Sequence, residues 1–268
     1  MSDTFDRLGY GTYKLEDRET CVSAVVHAVE TGYRHVDTAQ MYDNESFVGE
    51  GIEEAPVDRD ELFVATKLNT DNCGYDDAIE TAKASRDRLG VDTIDLLYVH
   101  WPTETYDPDE TLPALDRLVE EGVVDRVGLS NFRPDQLDVA LDRLEADVFA
   151  HQVECHPFCQ QEALREYAVE HDHWLVAYSP IARNRVADSD VIHTIAEKHD
   201  TTPAAVSLAW LLSNERVAPI PKAATPEHVE ANWAARDLEF DDEDLSRIDA
   251  IDREERVVDF ESAPWNQV

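Results

Sequence analysis

The chain has 268 residues, of which 43% are hydrophobic and 8% aromatic, enough to bury one large core or two small ones, and one domain over residues 1–268 is the expectation. Its 59 acidic residues against 23 basic ones leave a formal charge of -36, which repels nucleic acid and anionic membranes; with steady apolar periodicity, this charge describes a surface and not a disordered chain. The N-terminus lacks a basic start followed by an apolar run, and no stretch reaches the roughly 18 apolar residues of a membrane span, so a cytoplasmic location is expected.

In chain order, residues 9–14 read as a first strand and loop, and helical spacing runs from Glu16 to Thr31 before Gly32 stops it. RHVDTA is a second strand, followed by a helix from Asn44 to about Glu54. LFVATKL is the third, with a helix from Tyr75 to Leu89 closed by Gly90. TIDLLYVHW precedes a helix near 109–121, and DRVGLSNF precedes one near 134–144. HQVEC and WLVAYSP are the sixth and seventh strands. Residues 189–214 hold two helical runs broken around 201–203, VAPIPK is the eighth strand, and residues 226–235 begin the last helices.

Eight apolar strands at a repeat of about 33 residues predict an α/β fold of the closed (β/α)8, or TIM barrel, type. An open doubly wound sheet is the alternative, and no G-x-G-x-x-G follows any strand to support it. The barrel also gives the polar residues a common place. Asp37, Lys67, His100, Asn131, Gln152 and Tyr178 fall at or near the C-terminal ends of six different strands, the face on which such barrels carry their sites.

Asp37 ends its strand and Tyr42 follows five residues later. Tyrosine is a weak acid, with a reference pKa of about 10, and a neighbouring ammonium lowers it. Lys67, at the end of the third strand, is therefore expected to acidify Tyr42 in a proton-relay site with Asp37, and His100, at the end of the fourth, is a further candidate partner. The four cysteines, Cys21, Cys73, Cys155 and Cys159, lack paired metal or redox spacing and read as reduced thiols. In HQVECHP, alternation sends neighbouring side chains to opposite faces, against a metal cluster at Cys155, His156 and Cys159. His151 reads as a packing residue. Arginine outnumbers lysine 18 to 5, and with acids spread over every segment the composition suits a salt-rich cytosol.

The segment GYRHVDTAQMYDNESFVG, through Gly32, Tyr33, Arg34, Asp37, Ala39, Glu45 and Gly49, resembles the first signature of the aldo-keto reductases. The likeness extends from GTYKL to IPKAATPEHVEANWAA and is nearest to short prokaryotic members that reduce diketogluconates and small aldehydes. It implies a catalytic tetrad of Asp37, Tyr42, Lys67 and His100. It further implies that Ser130, Asn131 and Gln152 hold a nicotinamide carboxamide, that Tyr178, with Ser179 beside it, stacks on the ring, and that Thr12 also touches cofactor. Tyr13 and Trp101 are the implied substrate contacts.

At the adenosine end the resemblance retains Lys222 and Asn232, while Ala223, His228 and Ala231 replace the usual hydroxyl, arginine and glutamate. NADP(H) is expected to be preferred through Lys222, with NAD(H) possible, because histidine is a poorer phosphate ligand than arginine. The implied activity is reduction of small aldehydes, ketones or sugar-derived dicarbonyls by a monomer. Two other readings remain: a metal-dependent hydrolase, for which no early strand carries H-x-H, and a nicotinamide-binding redox sensor with little turnover. Phe260 and Trp265 are candidates for a partial lid over the pocket or for packing on the barrel side.

Overall fold

The computed structural model describes residues 5–267. Eight strands, β1 (Tyr10–Gly11), β2 (His35–Asp37), β3 (Phe63–Leu68), β4 (Leu96–Val99), β5 (Val127–Ser130), β6 (Val148–Glu154), β7 (Trp174–Tyr178) and β8 (Val217–Pro219), form one sheet in chain order. Every neighbouring pair is parallel. The sheet closes on itself, because the Gly9 and Gly11 N–H groups donate to the carbonyls of Pro219 and Pro221, both at 3.0 Å. Gly11 has to be glycine there: a Cβ would lie 2.8 Å from the Ile220 carbonyl oxygen. β1 is shorter than expected because the chain turns after Thr12, whose carbonyl accepts from Leu15 N–H at 3.1 Å.

The helices are α1 (Arg18–Thr31), α2 (Glu45–Glu54), α3 (Tyr75–Leu89), α4 (Pro108–Glu120), α5 (Pro134–Arg143), α6 (Glu162–Glu170), α7 (Asp190–Lys198), α8 (Pro203–Ser213), α9 (Pro226–Trp233) and α10 (Asp242–Asp249). Their starts are set by local chemistry. Asp17 caps α1 by accepting from Thr20 N–H, and Thr202 caps α8 by accepting from Ala205 N–H just ahead of Pro203, which is why residues 189–214 split into two helices. α6 has no counterpart in the sequence reading. Among its residues only Ala168 is buried, so it lacks the apolar stripe that marks a packed helix.

Two-residue alternation decides which side chains enter the barrel. Along β3, Phe63 and Ala65 join the interior cluster with Leu96, Tyr98, Ala150, Val176 and Ala218, while Val64 and Leu68 pack outward under the helices. The same alternation turns Lys67 inward above Ala65. In β6 it turns Ala150, Gln152 and Glu154 inward, with Val153 among the helices. On β5, the strand next to β6, Gly128 makes room for an interior ring, since a Cβ there would lie 2.4 Å from Tyr98.

Candidate active site

The polar centre of the barrel is built on β2 and β3. Lys67 is fully buried, and its Nζ donates to Asp37 Oδ1 at 2.5 Å and to the Thr38 carbonyl at 2.7 Å. Asp37 Oδ2 accepts from Gln152 Nε2 at 2.8 Å. A buried ion pair is tolerated only where its remaining valences are hydrogen-bonded, and here both partners have further bonds. The ammonium lies between two rings, 5.2 Å from the Tyr42 centroid and 5.9 Å from that of Tyr98, in reach of a cation–π attraction.

Tyr42 ends a short 3-10 turn, Gln40–Tyr42. Two side chains brace it. Gln40 Oε1 accepts from Asn69 N–H at 2.8 Å and from Asn72 Nδ2 at 2.9 Å. Asn44 donates to the carbonyls of Thr12 and Leu15 and accepts from Thr38 Oγ1 at 2.8 Å. His100, one residue past β4, places its ring 5.9 Å from that of Tyr42, edge to face.

The acid–base state of this centre differs from the sequence expectation. Burial, reinforced by the charge of Asp37, pushes the Tyr42 hydroxyl well above its ordinary value, so the expected acidification by Lys67 does not hold in the resting site. The reason is that Asp37 neutralises the lysine at close range, while desolvation acts on Tyr42 unopposed. Burial also lowers Lys67. For His100, burial and then the Lys67 charge push the imidazole well below its ordinary value. The site therefore holds a protonated tyrosine beside a neutral histidine, whose Nδ1 has no partner among the described residues.

These groups open into a cavity of about 570 Å³. Because the strands run in order round the ring, the loops after β7, β8 and β1 adjoin, and they bring Arg183, Lys222 and Lys14 to its wall. The loops after β2, β3 and β4 contribute Met41, Tyr42, Thr70, His100, Trp101, Thr103 and Glu104. Three cations against two carboxylates, Asp37 and Glu104, is the reverse of the balance in the whole chain. Between the arcs, Asn131 Nδ2 donates to the His100 carbonyl and to Ser130 Oγ, both at 3.0 Å, and the Tyr178 hydroxyl donates to Asn131 Oδ1 at 2.9 Å. Ser130 Oγ donates to the Gln152 carbonyl at 2.9 Å.

The cavity gathers Thr12, Tyr13, Asp37, Tyr42, His100, Trp101, Asn131, Gln152, Tyr178, Ser179 and Lys222. Lys67 and Ser130 lie beneath its floor. His228 and Asn232, on α9, lie outside it; His228 is exposed. His151 points away from the cavity, its ring 6.4 Å from that of His173; burial pushes the two imidazoles down to about 3 and about 4. Phe260 lines the cavity and meets Trp101 edge to face at 4.9 Å, while Trp265 packs on Trp101 at 5.7 Å without reaching the cavity wall.

Sequence reasoning missed Lys14, Arg183, Glu104, Gln40, Asn44 and the tail residues Val258 and Ser262. Lysine scarcity could have flagged Lys14 as it flagged Lys67 and Lys222; nothing local marks the tail. No group of three or more His, Cys, Asp or Glu side chains able to hold a metal ion occurs among the described residues, and no described helix is long and apolar enough to cross a membrane.

With barrel and site in place, comparison with known proteins agrees on the class. Residues 7–253 match the aldo/keto reductase family, and the chain belongs to that family of carbonyl-reducing, nicotinamide-dependent oxidoreductases. It is 36% identical over 249 residues to the glyoxal reductase of Bacillus subtilis, covering 93% of this chain and 90% of that one. It is 35% identical over 258 residues to the methylglyoxal reductase DkgB of Salmonella typhi, covering 95% and 96%. A crystal structure of a Gox0644 variant in complex with NADPH superposes with a TM-score of 0.86 at 34% identity, covering 92% of this chain and 89% of that one.

Proposed function

We propose that this protein reduces small aldehydes and dicarbonyls with NADPH, Tyr42 donating the proton and His100 orienting the carbonyl, and that it acts as a single-domain monomer in the cytoplasm of a salt-adapted organism. The observation that carries the chemistry is the buried Lys67–Asp37 pair beside the Tyr42 ring, with neutral His100 edge to face with that ring, all at one cavity. The named activities of the glyoxal and methylglyoxal reductases support two- and three-carbon dicarbonyls as substrates.

The donor set fits a phosphorylated dinucleotide. Lys14, Arg183 and Lys222 form one cationic arc suited to its phosphates, and Tyr178 offers a half-buried ring beside the Asn131 amide for the nicotinamide. Bound there, the nicotinamide supplies the hydride. Neutral His100 donates its single N–H to the carbonyl oxygen and sets its direction. Tyr42 remains protonated until negative charge grows on that oxygen. Because an alkoxide is a stronger base than a phenolate, and both are desolvated in the same cavity, the proton then moves from Tyr42 to the product. Lys67 is the cation nearest the phenolate that remains, and Asp37 with the Thr38 carbonyl keeps it in place.

The cofactor preference is narrower than Lys222 alone suggests. Ala223 is buried and offers no hydroxyl, and exposed His228 replaces the arginine of the family pattern, so NADH is expected to bind as well, behind NADPH. The test is oxidation of NADPH and NADH with glyoxal, methylglyoxal and glyceraldehyde at molar KCl and again at 0.1 M, where the screening length grows from about 3 to about 10 Å. Turnover with NADPH ahead of NADH, the margin widening at 0.1 M, is the expected result; equal affinities at matched salt overturn the preference. In the same two buffers, mutual repulsion within a chain of charge -36 should lower the melting temperature at the lower salt, and an unchanged value removes the salt-adapted reading. The redox-sensor reading has no observation of its own, and tight NADPH binding without turnover of any carbonyl is what would bring it forward.

A further inference from the structure

We infer that Glu154 is a positioning residue for the substrate wall: its buried carboxylate pins the C-terminal tail over the cavity, so discrimination between large and small carbonyl substrates depends on it. The inference rests on the reductase reading above and extends it to a residue that does not touch the cavity.

Glu154 ends β6 on the inward face, one pleat above Gln152, and is fully buried. Its Oε1 accepts from the Val257 N–H at 2.5 Å and lies 2.9 Å from His156 Nε2, and its Oε2 accepts from the Val258 N–H at 2.9 Å. No lysine or arginine pairs with it among the described residues. A buried carboxylate is expensive unless it is hydrogen-bonded, and here two of its donors are backbone amides of the tail, in the strong charge-assisted class. Two further ties lie alongside: Glu255 N–H donates to the Phe158 carbonyl at 2.7 Å, and the Arg253 guanidinium lies 4.2 Å from the Phe158 ring centre. Directly beyond the clamp, Val258, Phe260 and Ser262 line the cavity, with Phe260 against Trp101. Val258 is at once a partner of the carboxylate and part of the wall, and Ser262 lies only four residues beyond it.

Glu154→Gln keeps the shape of the side chain but turns an NH2 toward one of the tail amides, leaving that donor unpaired. Two readouts follow, one independent of catalysis. Amide exchange over residues 257–262 should quicken about tenfold, as loss of a hydrogen bond to a charged group implies. KM for a bulky aromatic aldehyde should rise about tenfold while KM for glyoxal, which offers far less surface to the tail wall, stays within about twofold. In a Phe260→Ala background the Glu154→Gln change should shift the aromatic KM by less than about twofold, because the wall it holds is already gone. Unchanged exchange with unchanged KM values, or an equal fall in kcat on both aldehydes, overturns the inference. Should Glu154→Gln fail to fold, Val257→Pro, which removes one donor from the tail side, must reproduce the exchange and KM pattern, and its failure to do so overturns it equally. A wild-type protein that turns over neither aldehyde defeats the reductase reading, and the exchange measurement then decides the clamp alone.

Discussion

The two sides of the cavity are made by opposite means. One arc, after β7, β8 and β1, carries Lys14, Arg183 and Lys222, all exposed on backbone loops. The other, after β2 to β4, is aromatic, with Tyr42, His100 and Trp101 set above a fully buried ion pair. Charge on the first arc faces solvent and is screened by salt; the Lys67–Asp37 pair of the second is sealed from it, and the one exposed charge lining that side is Glu104. Binding of an anionic cofactor should therefore respond to ionic strength, while the proton chemistry should not.

The sharpest way to separate the arcs is Tyr42→Phe. It should lower kcat by about 10²- to 10⁴-fold, the usual share of general acid catalysis, with NADPH affinity unchanged by fluorescence titration. A variant that keeps more than about a tenth of kcat would move the proton donor elsewhere. Next is Lys67→Met, which leaves Asp37 charged and buried without its cation. Denaturant unfolding should show a loss of about 3–5 kcal/mol, and adding Asp37→Asn should restore part of it, because the orphaned charge goes too.

On the other arc, Lys222→Met should weaken NADPH about ten- to a hundredfold at 0.1 M KCl, the range for a charged hydrogen bond, and spare NADH. The loss should shrink at molar KCl. Were it to persist there, Lys222 would belong with the sealed charges and the contrast between the arcs would fail.

The mildest effect is on pH dependence. The proposed mechanism needs Tyr42 protonated and His100 neutral. Burial raises the tyrosine above its usual value of about 10 and lowers the histidine below its usual value of about 6.5, so both ionisations move outward. kcat/KM should thus be level from about pH 6.5 to 10, and an alkaline fall centred well below 10 would mean that Lys67 acidifies Tyr42 after all.

Much of this was legible in the chain because the centre is written in strand ends. Alternation along FVATKL is enough to turn Lys67 inward, and the same rule places Gln152 inside and His151 outside. Direction of titration was not legible. Sequence can say that a lysine lies near a tyrosine; it cannot say that Asp37 pairs with that lysine or that desolvation outweighs the lysine at the tyrosine. α6 escaped because it buries so little, and the Glu154 clamp escaped because its partners lie about a hundred residues away in the chain, where no local pattern connects them. Phe260 reached the cavity rim and Trp265 did not, a distinction that rests on a turn of the tail and not on residue type.

The seam between β8 and β1 bears on more than architecture. β1 spans two residues, and the ring is shut there by a few backbone bonds around Gly9, Gly11, Pro219 and Pro221. Lys222 and Lys14 flank that join in the chain, so a dinucleotide gripped by both would bridge a join that only a few backbone bonds hold shut. In the thermodynamic accounting of ligand linkage, such a cofactor is a clasp: each tenfold excess over its dissociation constant adds about 1.4 kcal/mol to the closed ring. The apo protein should breathe first at this join, and the redox state and supply of nucleotide in the cell would then set how long the barrel lasts as well as how fast it works.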